Sequence, residues 1–315
     1  MPTTLITNMT AAVGAGAFYD IIPADGEEYL IRDIGSDVAF VGAVPDVEVS
    51  LRDAVLADAI IWIDPTTTPN RRLHHQLKLY VTHDNYCRLT NTGAQANISC
   101  FGEQVRAGLT RADLVTIGVG ATVEIQPPAG EVWDVMEIGT STWTAAFPDV
   151  NVLVTDGTLV ASVILDSTMA RGWEKQLHLI IDNNTYLAVT DTSGGGIVFG
   201  YSARVIPQAC ISSVQDVAGS GVLDIIPPGN QEWAVTEISA ETWAGVAPNG
   251  YPDIEVALVV GANLSQVLEA GAGVSLRWNT EMELHIDTTH YLRITEISTA
   301  NNEVGVLGYL KRSWS

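Results

Sequence analysis

The sequence predicts an all-β protein built as three tandem homologous antiparallel β-sandwich domains of jelly-roll-like type. Three observations carry this expectation. One block pattern occurs three times in the same order, its apolar residues alternate with a period of two, and Pro, Gly, Asn and Asp interrupt it at short intervals. The copies divide the chain at 1–107, 108–208 and 209–315.

The first block reads DIIPADGEEYLIRDIG from Asp20, EIQPPAGEVWDVMEIG from Glu124 and DIIPPGNQEWAVTEIS from Asp224, and the three align without a gap. Pro127-Pro128-Ala129-Gly130 and Pro227-Pro228-Gly229-Asn230 cannot continue a helix or a central strand, so they read as turns with strands on either side. Trp133, Val135 and Ile138, with Trp233, Val235 and Ile238, are expected near the core. The step of three from Val135 to Ile138 breaks the alternation and predicts a β-bulge.

A second block follows about 25 residues on: Pro45-Asp46-Val47-Glu48-Val49, Pro148-Asp149-Val150-Asn151-Val152 and Pro252-Asp253-Ile254-Glu255-Val256. Asp53 to Asp64 has a helix-like density of Ala and Leu, but its counterparts from Asp156 and Gly261 carry a turn and β-branched residues, so a hairpin is expected. The third block starts at Gln76, Gln176 and Glu281. Leu77, Leu79 and Val81 alternate with Lys78 and Tyr80, which predicts a half-buried strand. A polar turn such as Asp182-Asn183-Asn184 and a returning strand from Tyr186 to Thr190 predict a second hairpin. Each copy closes on an apolar segment carrying Gly102, Gly200 or Gly308. Copies are offset by 100 to 105 residues, so each has room for its own core of seven or eight strands.

The charge balance excludes several functions. Only 17% of residues are charged, yet 37 are Asp or Glu against 15 Lys or Arg, for a net charge of −22. Just three of the basic residues are lysines, Lys78, Lys175 and Lys311. Such a surface repels phosphate backbones and anionic membranes, so neither nucleic acid nor membrane is an expected partner. At molar salt the Debye length falls to about 3 Å, and crowded carboxylates cease to repel one another. The composition therefore suits concentrated brine and resembles that of haloarchaeal proteins. The segment from Met1 to Thr4 does not read as a basic start to a secretory leader, and no apolar run reaches the length of a membrane helix.

No residue set names a reaction. The chain lacks G-x-S-x-G, H-E-x-x-H and G-x-x-x-x-G-K, and Gly194-Gly195-Gly196 falls in a hairpin turn with no lysine after it. With 37 acids, chance carboxylate pairs are expected, so they do not specify a glycosidase. Glu28 matches Val132 and Glu232, while Asp33 matches Glu137 and Glu237; acids shared by all copies read as solvated edge residues rather than one specialised site. His74 and His75 face opposite sides of a strand, and His178 takes an outward position matched by Lys78 and Glu283. Cys87 and Cys100 flank a turn at Gly93; with Cys210 they read as free thiols, although the first two could meet across a hairpin. No catalytic, metal or cofactor residues are expected.

Tryptophan divides into two groups. Trp133 and Trp233, matched by Tyr29, and Trp173 and Trp278, matched by Leu73, read as core packing. Trp143 and Trp243 share a position in a long segment before the second block; core burial is the favoured reading there too, while exposure would let them stack on a sugar or anchor in a partner.

The repeated blocks, from IIPPGNQEW at Ile225 to HIDTTHYLRI at His285, resemble those of virion structural proteins of tailed viruses, head decoration proteins among them. With the brine-type composition, the resemblance implies a non-enzymatic component on the outer surface of a haloarchaeal virus particle, assembled in the host cytoplasm. Its partners would be other virion proteins such as the major capsid protein. Three like domains in one chain also suit a pseudo-trimer, a homo-oligomer or a rod-like stack in a turret. The alternatives are a tail-fibre module that binds a receptor or host surface glycan, and an extracellular hydrolase or its accessory domain.

Overall fold

The computed structural model of the 315-residue chain describes residues 5–38, 47–53, 55, 59–63, 72–93, 96–142, 149–167, 172–242, 254–260, 263–271, 277–297 and 302–314. Every regular element among them is a strand, and none is a helix long and apolar enough to cross a membrane. The first eight strands are β1 (Leu5–Val13), β2 (Phe18–Ile21), β3 (Glu28–Val38), β4 (Val47–Arg52), β5 (Ala59–Ile63), β6 (Arg72–Val81), β7 (Tyr86–Asn91) and β8 (Ala96–Val105). The second set is β9 (Thr110–Ile117), β10 (Thr122–Ile125), β11 (Val132–Thr142), β12 (Asp149–Thr155), β13 (Val160–Ser167), β14 (Gly172–Ile181), β15 (Tyr186–Asp191) and β16 (Ile197–Ile206). The third is β17 (Ser213–Val217), β18 (Val222–Ile225), β19 (Gln231–Thr242), β20 (Ile254–Val260), β21 (Asn263–Gly271), β22 (Arg277–Ile286), β23 (His290–Glu296) and β24 (Asn302–Ser313).

Each set folds into two four-stranded antiparallel sheets with one topology. The first, eighth, third and sixth strands form one sheet: β1-β8-β3-β6, β9-β16-β11-β14 and β17-β24-β19-β22. The second, seventh, fourth and fifth form the other: β2-β7-β4-β5, β10-β15-β12-β13 and β18-β23-β20-β21. This is a jelly roll written three times, as the alternation and the turn chemistry predict. Leu77, Leu79 and Val81, Leu177, Leu179 and Ile181, and Val135, Ile138, Val235 and Ile238 all line the cores. The bulge lies where the step of three places it, between Ile31 and Asp33, Val135 and Glu137, and Val235 and Glu237. At the Pro-Pro turn, Glu131 donates its N–H to Pro128 O (3.0 Å) and Gly130 takes φ +90°, a conformation that glycine adopts without strain. β4 and β5 pair antiparallel, as the hairpin expectation requires, while residues 54, 56–58 and 64 of the Asp53–Asp64 segment lie outside the described residues.

The third block departs from expectation. β6 and β7 belong to opposite sheets, as do β14 and β15, and β22 and β23. The turn closes locally, with Asp182 N–H donated to Thr185 O at 2.8 Å, but the chain then crosses the core instead of pairing with itself. Alternating side chains and polar turn residues are common to a hairpin and to this arch, so local pattern cannot separate them. The glycine triplet 194–196 likewise joins two sheets, β15 to β16. For the same reason Cys87 and Cys100 lie in facing sheets, not across a hairpin; both are buried and free. The register also places Ala203, not Gly200, at the position of Gly102 and Gly308, because Gly200 pairs with Gly139 where Ser99 pairs with Gly35.

The third arch turn carries a pH signature at Asp287. Asp287 Oδ1 accepts the Thr289 hydroxyl (2.8 Å) and the N–H groups of Thr289 (2.7 Å) and His290 (2.8 Å). These bonds, the Thr289 hydroxyl first, hold its pKa at about 2. A carboxyl depressed below its unfolded value of about 3.9 contributes stability above roughly pH 4 that fades as pH falls through the folded value. Asp287→Asn is therefore expected to flatten the acid limb, read as the change of the urea midpoint between about pH 5 and pH 2. An acid limb as steep as in the unaltered chain would rule this turn out as a source.

Candidate functional site at the sandwich joints

The residues singled out in the sequence do not converge on a reactive centre. Trp143 and Trp243 lie outside the described residues, as do the side chains of Trp173, Trp278 and His74. Trp133 is buried, stacks on Tyr201 at a centroid distance of 6.0 Å and donates Nε1–H to Glu131 Oε2 (2.7 Å). Trp233 repeats that bond to Gln231 Oε1 (2.7 Å), and the Tyr29 hydroxyl repeats it to Glu27 Oε2 (2.8 Å). Burial pushes the thiols up, Cys100 to about 12 and Cys210 to about 11, so neither is a ready thiolate. Among the described residues no three His, Cys, Asp or Glu form a group able to hold a metal. A cavity of about 440 Å³ opens where Thr158 and Leu159 meet Asp216 and Glu303, at the seam between the second and third sandwiches.

What the structure does assemble is a pair of matching joints. The edge strands β5 and β6 of the first sandwich lie on the outer face of the second sandwich's β9-β16-β11-β14 sheet. Two glycines permit the approach. A Cβ on Gly139 would stand 2.0 Å from Ile60 O, and one on Gly200 would stand 2.6 Å from Ala59 Cβ. Around them Leu114 and Val198 of the second sandwich join the first sandwich's core, and Met136 packs with Leu30 and Tyr80. The bulge turns both Met136 and Glu137 outward, and Glu137 Oε1 accepts the backbone N–H of Lys78 (2.7 Å). Ser202 Oγ accepts from Tyr80 N (2.6 Å) and donates to Tyr80 O (3.0 Å), satisfying the free edge of β6. At the rim the Lys78 ammonium donates to His178 Nε2 (3.0 Å), whose Nδ1 lies 3.2 Å from Asp134 Oδ1.

The second joint repeats the placement of strands and of the small residues, while its hydrogen bonds come from other positions. β13 and β14 lie on the outer face of the β17-β24-β19-β22 sheet. A Cβ on Gly305 would meet Val154 Cγ1 at 2.8 Å and Ala161 Cβ at 3.1 Å, the counterparts of the Leu51 and Ala59 that cover Gly200. Val214 and Leu307 of the third sandwich join the core of the second. Glu303 Oε2 accepts Val160 N–H (2.7 Å), and Ser212 Oγ donates to Ile180 O, the position matched to Tyr80.

Two of the three shared acids are therefore not solvated, while Asp33 is half-buried. Glu137 and Glu237 are 1% and 0% exposed, because the preceding sandwich covers the sheet face they occupy. Glu28 is buried too, accepting the N–H groups of Gly108 (2.6 Å) and Thr110 (2.9 Å) in the link between the first two sandwiches. Sequence reasoning passed over Gly139, Met136 and Ser202. The usable signal was a contrast between copies: Arg32 is matched by Met136 and Thr236, so an outward position loses its charge wherever a sandwich precedes it.

No protein-family model matches the chain, and no curated protein matches it. Two solved structures align loosely. The major capsid protein P2 of bacteriophage PM2 aligns over 65% of this chain and 98% of its own, at 12% identity and a TM-score of 0.31. The triple jelly-roll turret protein of an archaeal virus aligns over 98% of this chain and 89% of its own, at 11% identity and a TM-score of 0.23. At these values neither likeness bears on what this chain does, and the jelly-roll assignment rests on its own strand order.

Proposed function

We propose that this chain is a non-enzymatic structural protein on the outside of a virus particle, a turret or capsid-decoration component of a tailed virus whose host lives in brine. The observation that carries the reading is the repeated joint. The outer faces of the β9-β16-β11-β14 and β17-β24-β19-β22 sheets are consumed in stacking one sandwich on the next. The net charge of −22, held by a chain with three lysines, supports operation at high salt. Other virion proteins, the major capsid protein first, are the partners this reading implies.

In purified particles the chain is expected in simple stoichiometry with the shell subunits, measured by quantitative mass spectrometry. A few copies per particle would favour a tail fibre, and its absence would overturn the reading. Near-UV circular dichroism should persist in multimolar salt and collapse on dialysis to low salt; identical spectra would remove the brine adaptation. Trp143 and Trp243 are the residues we assign to partner or glycan contact, and glycan binding abolished by replacing both with Ala would select the tail-fibre alternative.

A further inference from the structure

The first sandwich holds two buried thiols at positions where its siblings carry larger side chains. Cys87 on β7 pairs with Ile21 and Leu51, and Cys100 on β8 pairs with Ile34, in sheets that face each other across one core. β7 ends at Asn91 and β8 starts at Ala96, so Cys87 and Cys100 each stand four residues from the arch that joins the two strands. Both are fully buried, and inward residues at equal depth on the two arms of an arch look at each other across the core. By the same strand partners, their counterparts are Leu187 with Tyr201 in the second sandwich and Leu292 with Val306 in the third. Two cysteines are the smallest of the three pairs, so the sheets can draw together here where the other cores are filled. Burial, and after it the neighbouring Cys100, push the Cys87 thiol well above its usual range.

We propose that Cys87 and Cys100 form a modification site, an oxidisable pair that closes an inter-sheet disulfide through the first core. Such a bond joins Cα atoms about 5.5–6 Å apart, nearer than the roughly 10 Å between packed sheets, and the small side chains let β7 and β8 approach. The thiols are inert while the sandwich is closed, since burial withholds the thiolate. The bond therefore forms before the core closes or when it opens, with a small disulfide such as oxidised glutathione as the oxidant. One Cys thiolate attacks that disulfide, giving a mixed disulfide and one glutathione thiolate; the other Cys thiolate then attacks the protein sulfur of the mixed disulfide and releases the second. The two thiols lose two electrons, the glutathione disulfide gains them, and the two protons pass to the glutathione thiolates. The closed loop contains the arch from β7 to β8, so the bond pins the crossing between sheets, a restraint the other two sandwiches lack. Cys210 is no competitor in the folded chain, because it lies in the link after β16 with Sγ accepting the Ser212 N–H (3.4 Å). Reducing compartments keep the pair as thiols, and oxidising surroundings favour the bond.

The test equilibrates the full chain in molar NaCl with mixtures of reduced and oxidised glutathione, with and without denaturing urea. Equilibrium is approached from both the reduced and the oxidised chain, then quenched with acid for mass spectrometry and peptide mapping. The folded chain is expected to retain one free thiol of three, to lose the mass of two hydrogens and to give a single cross-linked peptide containing Cys87 and Cys100. The equilibrium constant for closing the bond should be at least about tenfold larger in the folded chain than in urea, because a link that fits the native core is favoured by folding. Cys210→Ala should leave both results unchanged. Three free thiols in the folded chain at every glutathione ratio, a cross-link through Cys210, or a constant no larger folded than unfolded would each overturn the inference. These readouts need no particle, so they stand apart from the stoichiometry that tests the virion reading.

Discussion

Gly139→Val is expected to lower stability by roughly 3 kcal/mol, at the upper end of overpacking costs, and to split thermal unfolding into two transitions. The Cβ would arrive 2.0 Å from Ile60 O and 2.8 Å from its carbonyl carbon, and both atoms are backbone of β5, held by pairing with β4. No side chain can swing away, so either β11 or β5 shifts, or the joint opens. Opening exposes Leu114, Val198 and Met136, whose buried surface couples the two sandwiches. The first sandwich should then melt separately in differential scanning calorimetry. Gly194→Ala is the control, since nothing lies within 4 Å of its Cβ position; it should stay within about 0.5 kcal/mol. A single, unshifted transition for Gly139→Val would mean that the joint is not packed as described.

Phe199→Ala carries the second large effect. Phe199 is the largest fully buried side chain among the described residues, set in the second core with Val135, Ile138, Val152 and Leu179. Truncation leaves a cavity in a core closed on two sides by sheets, and a loss of roughly 3–5 kcal/mol is expected in denaturant titrations. Phe101, on the eighth strand of the first sandwich, is the informative partner. It points outward and is 43% exposed, so Phe101→Ala should change stability by less than about 0.5 kcal/mol. Equal effects at the two positions would contradict the inward and outward assignments of β8 and β16.

Much of the architecture was legible in the residues, for identifiable reasons. Period-two alternation marked the strands, and Pro127-Pro128 and Gly130 marked a turn because their backbone preferences are local. The bulge could be read at Val135 because a step of three cannot keep both residues facing one side of a strand unless a residue is inserted. The arches were misread as hairpins because strand partners are set by the stacking of sheets. The Asp182 turn is chemically the same whichever sheet receives β15. The acids at Glu137 and Glu237 were misread because an outward position reads as solvent until something covers it.

What the sequence by itself determined is the triplication, the inward and outward phase of the strands and the acidity of the whole. Each follows from short-range repetition or simple counting. Only the tertiary structure decided which outward faces meet water and which meet another sandwich. Those contacts join residues far apart in the chain, as when Tyr80 exchanges hydrogen bonds with Ser202, 122 positions away. The free energy of such a joint comes from surface that both sandwiches must present together, and no local pattern encodes that.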